Sequence, residues 1–148
     1  MRIIVTGGAG FIGSALIRRL ISDNVHEVIN VDTLTYSGNL NSLLEVSESD
    51  RYIFENCDIC DYPKLLNIFK KYQPNLVFHL AAESHVDRSI DNPDQFLQTN
   101  IFGTSNVLNA SLDLWKGNKS HSSSNFRFIH ISTDEVFGDL GDSKILFD

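Results

Sequence analysis

The segment Thr6-Gly7-Gly8-Ala9-Gly10-Phe11-Ile12-Gly13 constrains this chain more than any other. It fits GxGxxG at Gly8, Gly10 and Gly13, and GxxGxxG at Gly7, Gly10 and Gly13. A β-branched run, Arg2 to Thr6, precedes it, and apolar residues at Phe11, Ile12, Ala15, Leu16 and Leu20 follow at helical spacing. The context therefore reads as strand, glycine turn, helix, which gives a glycine pattern its meaning. Early glycines permit the tight turn, Gly10 lets backbone N–H groups approach a pyrophosphate at the positive helix end, and Gly13 allows close packing. The competing reading is a glycine-rich turn that holds nothing. No Gly-Lys-Ser/Thr follows, which excludes a Walker-type phosphate loop.

Further strands are predicted at Val25 to Asp32, Tyr52 to Phe54, Asn75 to Ala82 and Phe126 to Ser132. Helices are predicted at Tyr62 to Tyr72, with Pro63 in the first turn, and at Pro93 to Trp115, with Gly103 inside. Lys116 to Asn125 reads as a surface loop. Strands alternating with helices argue for an α/β fold, a Rossmann-like doubly wound parallel sheet truncated after about five strands. The 148 residues are 42% hydrophobic, enough for a packed core, and the net charge of −7 opposes binding to nucleic acid or an anionic membrane. No apolar run approaches the roughly 18 residues that span a bilayer, and the N-terminus turns into glycines too early for a signal peptide. A cytoplasmic location is the expectation.

Asp32 lies 19 residues beyond Gly13, near the roughly 20 expected for an acid that accepts hydrogen bonds from an adenosine ribose. Its charge would repel a 2′-phosphate, which favours NAD over NADP. Asp58 is a candidate for the adenine rim or an exposed turn acid. Cys57 and Cys60 form a nominal CxxC, but Asp61 and Pro63 start the next helix after both, so a redox or zinc role is not expected. Strand four runs into Glu83, His85 and Asp87, whose spacing matches no metal cluster; a polar loop is expected, and no metal. His79 and His130 sit inside apolar strands and read as core histidines with satisfied hydrogen bonds. Strand five runs into Thr133-Asp134-Glu135. Adjacent carboxyls in unlike environments can divide acid and base roles, although the pair by itself reads more readily as a solvated turn.

TGGAGFIGS at Thr6 to Ser14, VDTLTYSGN at Val31 to Asn39, HLAAESHVDRSI at His79 to Ile90, TNIFGT at Thr99 to Thr104 and STDEVFGDL at Ser132 to Leu140 resemble the extended short-chain dehydrogenase/reductase (NAD-dependent epimerase/dehydratase) family. Within it they are most similar to the sugar-nucleotide 4,6-dehydratases that act on dTDP-glucose on the way to dTDP-rhamnose. Sister epimerases typically carry a serine- or alanine-rich sequence where Thr133-Asp134-Glu135 stands. The resemblance implies that Gly7, Gly10, Phe11, Ile12, Gly13, Asp32, Thr33, Leu34, Thr35, Asp58, Ile59, Leu80, Ala81, Ala82, Ser84 and Thr99 bind NAD. Thr33 replaces the Lys common in that motif. Ser84 and Thr133 would also touch substrate, with Thr133 on the C4 oxygen. The family chemistry oxidises sugar C4, eliminates water across C5 and C6, and returns the hydride to C6. In it Glu135 would remove the C5 proton and Asp134 would protonate the departing hydroxyl.

The family also uses a Tyr-x-x-x-Lys pair. The four tyrosines here are Tyr36, Tyr52, Tyr62 and Tyr72, and four positions on stand Leu40, Asn56, Leu66 and Leu76. Residues 1–148 are thus expected to be an incomplete NAD-binding domain, without the C-terminal substrate domain, that self-associates or forms a homodimer through the helices from Tyr62 and Pro93. The open sheet edge beside Phe126 to Ser132 adds to that expectation. The alternatives are an NAD-binding or association module without catalysis, and a sister epimerase or decarboxylase. Purified 1–148 by itself is expected to show negligible conversion of dTDP-glucose in a discontinuous product assay; measurable turnover would contradict this.

Overall fold

The computed structural model describes residues 1–117, 126–133, 136 and 138. Five strands, β1 (Arg2–Thr6), β2 (Glu27–Asp32), β3 (Tyr52–Asn56), β4 (Leu76–His79) and β5 (Arg127–His130), form one sheet in the order β3-β2-β1-β4-β5. Every pairing is parallel, which requires crossover connections over the sheet faces. Helix α1 (Phe11–Ser22) follows β1. A 3₁₀ turn (Leu40–Leu43) and α2 (Leu44–Ser47) precede β3, and α3 (Tyr62–Tyr72) links β3 to β4. After β4 come α4 (Val86–Asp91), α5 (Pro93–Phe96), a π-helical segment (Leu97–Gly103) and α6 (Thr104–Gly117). The doubly wound sheet expected from the sequence is present, and its order reverses between β1 and β4.

The period-2 alternation of β1 explains why the sheet is covered on both faces. Ile4 joins Ile29, Val31, Leu65, Phe69, Val107 and Ala110 under α3 and α6. Ile3 and Val5 point the other way, to Ile17, Ile21, Val28 and Leu43 under α1 and the 3₁₀ turn. Asp61 caps α3 by accepting the Lys64 N–H at 3.1 Å, with Pro63 in the first turn as the sequence predicts. The core face of α1 departs from expectation. Phe11 and Ile12 are 94% and 62% exposed, while Gly13, Ser14, Ile17 and Ile21 are the buried set.

The helix predicted from Pro93 to Trp115 contains the π-helical segment at Leu97–Gly103, a feature often found beside functional sites. Gly103 packs against Ile59, whose Cδ1 lies 2.6 Å from where a Cβ would stand. Two faces of this stretch are apolar. Val107, Ala110 and Leu114 are buried against the sheet and α3, whereas Leu97, Ile101, Leu108 and Leu112 are exposed. The helix continues through Gly117, two residues past its predicted end; residues 118–125 of the predicted loop lie outside the described residues. No described helix is long and apolar enough to cross a membrane.

His79 is fully buried and fully bonded, as expected: Nδ1 meets Thr6 Oγ1 at 2.7 Å and Nε2 meets Thr104 Oγ1 at 2.9 Å. Thr6 Oγ1 also accepts the Ala81 N–H at 3.3 Å. A neutral ring donates from one nitrogen and accepts at the other, so the two threonine hydroxyls play opposite roles towards it. His130 differs from expectation. It is exposed on β5, the outer strand of the described sheet, with its ring stacked 5.1 Å from His79. Burial, and then His130, push the His79 pKa down to about 4. An unfolded histidine protonates near 6.5, so the native state alone resists protonation between those values. Stability is therefore full above about pH 6.5 and falls by about 3 kcal/mol as pH drops to 4. Urea unfolding of the protein and His79→Gln across this range is expected to show that extra loss only with His79.

Candidate functional site

The carboxyl ends of β1, β2 and β4 surround a cleft at the point where the strand order reverses, the usual ligand position in such sheets. Its cavity measures roughly 630 Å³. Its base is the glycine turn. Gly7 has φ +69°, a left-handed conformation, and a Cβ there would stand 2.7 Å from the Ala81 backbone. A Cβ on Gly13 would stand 2.3 Å from the Gly7 carbonyl oxygen. Gly10 is the N-cap of α1 with no side-chain cap, and the first turn carries no acid. The N–H groups there face the cleft with the positive end of the helix dipole behind them.

Asp32 ends β2 and is 9% exposed. Its Oδ2 accepts the Ala9 N–H at 2.9 Å and its Oδ1 the Leu34 N–H at 2.8 Å. One carboxylate thus holds the glycine turn on one side and the following loop on the other, while still lining the cavity. Among the residues predicted for cofactor, Gly7, Gly10, Phe11, Ile12, Gly13, Asp32, Thr33, Thr35, Asp58, Ile59, Leu80, Ala81, Ala82, Ser84 and Thr99 all line this cavity. Leu34 does not; it turns the chain at φ 56° and contributes its N–H to Asp32. Thr133 follows β5 and is exposed, while Asp134 and Glu135 lie outside the described residues.

The structure adds lining residues that the sequence reading did not single out for the cleft. Glu83, Gln95 and Gln98 reach it from the loop after β4 and from the 93–103 stretch, and Cys57 and Cys60 reach it from the end of β3. Burial pushes both thiols up to about 11, so they are neutral near pH 7. Both are free. Among the described residues no cluster of three or more His, Cys, Asp or Glu could hold a metal ion. Glu83 is not part of a solvated loop; it is 7% exposed and bonded to Tyr36 and Gln95. α4 and the residue pairing that buries Glu83 carry no local periodicity, so only the assembled fold shows them.

Together these features define a Rossmann-like α/β domain with a glycine-turn cleft at its switch point. A family model described as GDP-mannose 4,6 dehydratase matches residues 4–146, and the chain belongs to that family. The dTDP-glucose 4,6-dehydratase 1 of Escherichia coli (strain K12) is 56% identical over 140 residues, 95% of this chain and 39% of that protein. A crystal structure of DesIV, a dTDP-glucose 4,6-dehydratase from Streptomyces venezuelae with NAD and TYD bound, superposes with a TM-score of 0.82. It is 39% identical and covers 97% of this chain and 42% of its own. The dTDP-glucose 4,6-dehydratase of Bacillus anthracis in complex with NAD also gives a TM-score of 0.82 at 30% identity, over 99% of this chain and 42% of that one. The chain spans about two fifths of the length of the curated relatives it matches.

The close approach at Gly13 has a measurable consequence. Gly13→Ala is expected to destabilise the protein by about 2 kcal/mol or more, because the obstructing atom is backbone and cannot rotate away. Gly117→Ala, where a Cβ meets nothing within 4 Å, is expected to be neutral or slightly stabilising. Denaturant midpoints of the two variants make the comparison.

Proposed function

We propose that this chain supplies the NAD-binding portion of a dTDP-glucose 4,6-dehydratase, a lyase of nucleotide-sugar metabolism acting in the cytoplasm. The observation that carries the reading is the cleft itself, where a backbone cradle too tight for a Cβ at Gly7 or Gly13 faces an acid bonded across its rim. Phe11 and Ile12, large and exposed, line the same cavity, as apolar residues do where a ligand covers them. The relatives named above, two of them solved with NAD, support the same assignment.

The residues present suit an anionic dinucleotide. The uncapped N–H groups at the start of α1 would take the pyrophosphate, and Asp32 would accept from the adenosine ribose hydroxyls while repelling a 2′-phosphate. Asp58 and Ile59 would border the adenine, and Ser84 and Thr99 would lie toward the nicotinamide half. NAD, when bound there, would supply the hydride chemistry that the reaction needs at the sugar C4 and C6. In this reading Thr133 hydrogen-bonds the C4 oxygen, Glu135 removes the C5 proton and Asp134 protonates the leaving C6 hydroxyl. The exposed apolar residues Leu97, Ile101, Leu108 and Leu112 would pair with a second copy as a homodimer.

Calorimetric titration tests the cofactor assignment. NAD is expected to bind and NADP to bind at least about tenfold more weakly, with the preference narrowed by Asp32→Ser. Absence of heat and of any thermal shift with NAD would overturn the reading.

A further inference from the structure

Glu83 is buried although it carries a carboxylate, and a buried carboxylate needs partners for both oxygens. Gln95 Nε2 donates to Oε1 at 3.1 Å, and the Tyr36 hydroxyl donates to Oε2 at 3.2 Å. The Glu83 backbone is gripped as well. Asn100 Oδ1 accepts its N–H at 2.8 Å, and Asn100 Nδ2 donates to its carbonyl at 2.9 Å. Gln95 and Asn100 come from the helical stretch after α4, so Glu83 is an acceptor anchored to the helical layer.

Tyr36 comes from the opposite bank, the loop that follows β2. That loop is itself fastened. Leu34 holds φ 56°, a left-handed conformation that costs a residue with a side chain about 1 kcal/mol. Its N–H is fixed on Asp32, and the Asn39 N–H donates to the Ala9 carbonyl at 2.9 Å. Between those fixed points the Tyr36 side chain reaches across to Glu83. The Arg88 guanidinium lies 3.6 Å from the centre of the Tyr36 ring, and the His85 ring lies 6.1 Å away. Burial, and then the Glu83 charge, hold the phenol above its usual range, so it is a donor at neutral pH.

The two banks joined in this way are the two banks of the cavity: Thr33, Thr35 and Ser37 line one, Glu83 and Ser84 the other. We propose that Tyr36 is a positioning residue that straps the β2 loop to the β4 loop, and that this strap must open before a bound dinucleotide can leave. The proposal rests on the reading of the cleft as an NAD site. Tyr36 is 45% exposed, so its bond can break without unfolding the domain. Its effect therefore falls on release more than on overall stability.

Stopped-flow displacement of NADH, followed by its fluorescence, tests this on the protein and three variants. Tyr36→Phe keeps the ring under Arg88 and loses only the hydroxyl. It is expected to release NADH about fivefold to tenfold faster, with the association rate within about twofold and the unfolding midpoint nearly unchanged. Glu83→Gln replaces the charged acceptor of the hydroxyl by a neutral one, and is expected to accelerate release by less than Tyr36→Phe does. Arg88→Gln, which leaves the hydroxyl bond and removes the stacked cation, is expected to accelerate release by a smaller factor. Parent-like release from Tyr36→Phe overturns the strap while leaving the NAD site standing. Failure of the parent protein to take up NADH at all overturns both.

Discussion

The turn from β1 into α1 packs backbone against backbone on itself and on the end of β4, and at Gly7 and Gly13 the separation leaves no room for a side chain. A Cβ at Gly7 would press on Ala81, and one at Gly13 on the Gly7 carbonyl. This crowding brings the first turn of α1 within reach of both neighbouring strands. It also exposes peptide N–H groups that no side chain caps. A cleft built from backbone has fixed geometry, because peptide groups do not change rotamer. The positive helix end is then available to an anion at little reorganisation cost.

Side chains lock the arrangement with few charges. Asp32 spends its two oxygens on N–H groups of two different loops, and charge-assisted bonds of this kind are among the stronger ones a protein makes. Behind the cleft, Thr6, His79 and Thr104 link β1, β4 and α6 through one neutral imidazole. The same Thr6 hydroxyl receives the Ala81 N–H, which sets the height at which β4 ends beneath Gly7. The wall of the cleft and the core of the sheet are therefore one hydrogen-bonded unit. Protonating His79 would make both ring nitrogens donors, forcing one of its two threonine bonds to reverse and disturbing both.

How much of this was readable beforehand depends on whether the information is local. The glycine spacing, the Asp61 cap and the alternating strands are local patterns with a direct physical cause, and the sheet and its helices follow from them; the family resemblance, not local pattern, supplied the sixteen expected cofactor residues, of which fifteen line the cleft. Helical spacing misled at Phe11 and Ile12: apolar residues at the start of a helix can face a ligand site as well as a core. It also could not separate the covered from the uncovered face of the 93–117 stretch, because both are apolar. His130 looked like core because its strand is apolar, yet the environment of a strand residue depends on its place in the sheet order. β5 is outermost among the described strands.

Glu83 is the clearest case of information that no local pattern contains. Its neighbours in sequence are alanine, serine and histidine, which suggest a solvated loop, and an isolated carboxylate there would stay in water. Burial becomes favourable only because Tyr36, Gln95 and Asn100 arrive from places 47, 12 and 17 residues away. Each of those partners is an ordinary polar residue in its own segment. The two loops that carry Tyr36 and Glu83 are set side by side by the parallel order β2-β1-β4, so a shift of either strand would separate the donor from its acceptor. The bond between the banks is in this sense a readout of strand register. That also explains its limited strength: the strands hold the banks at their spacing, and the hydroxyl bond adds only the last increment that decides whether the loops stay joined.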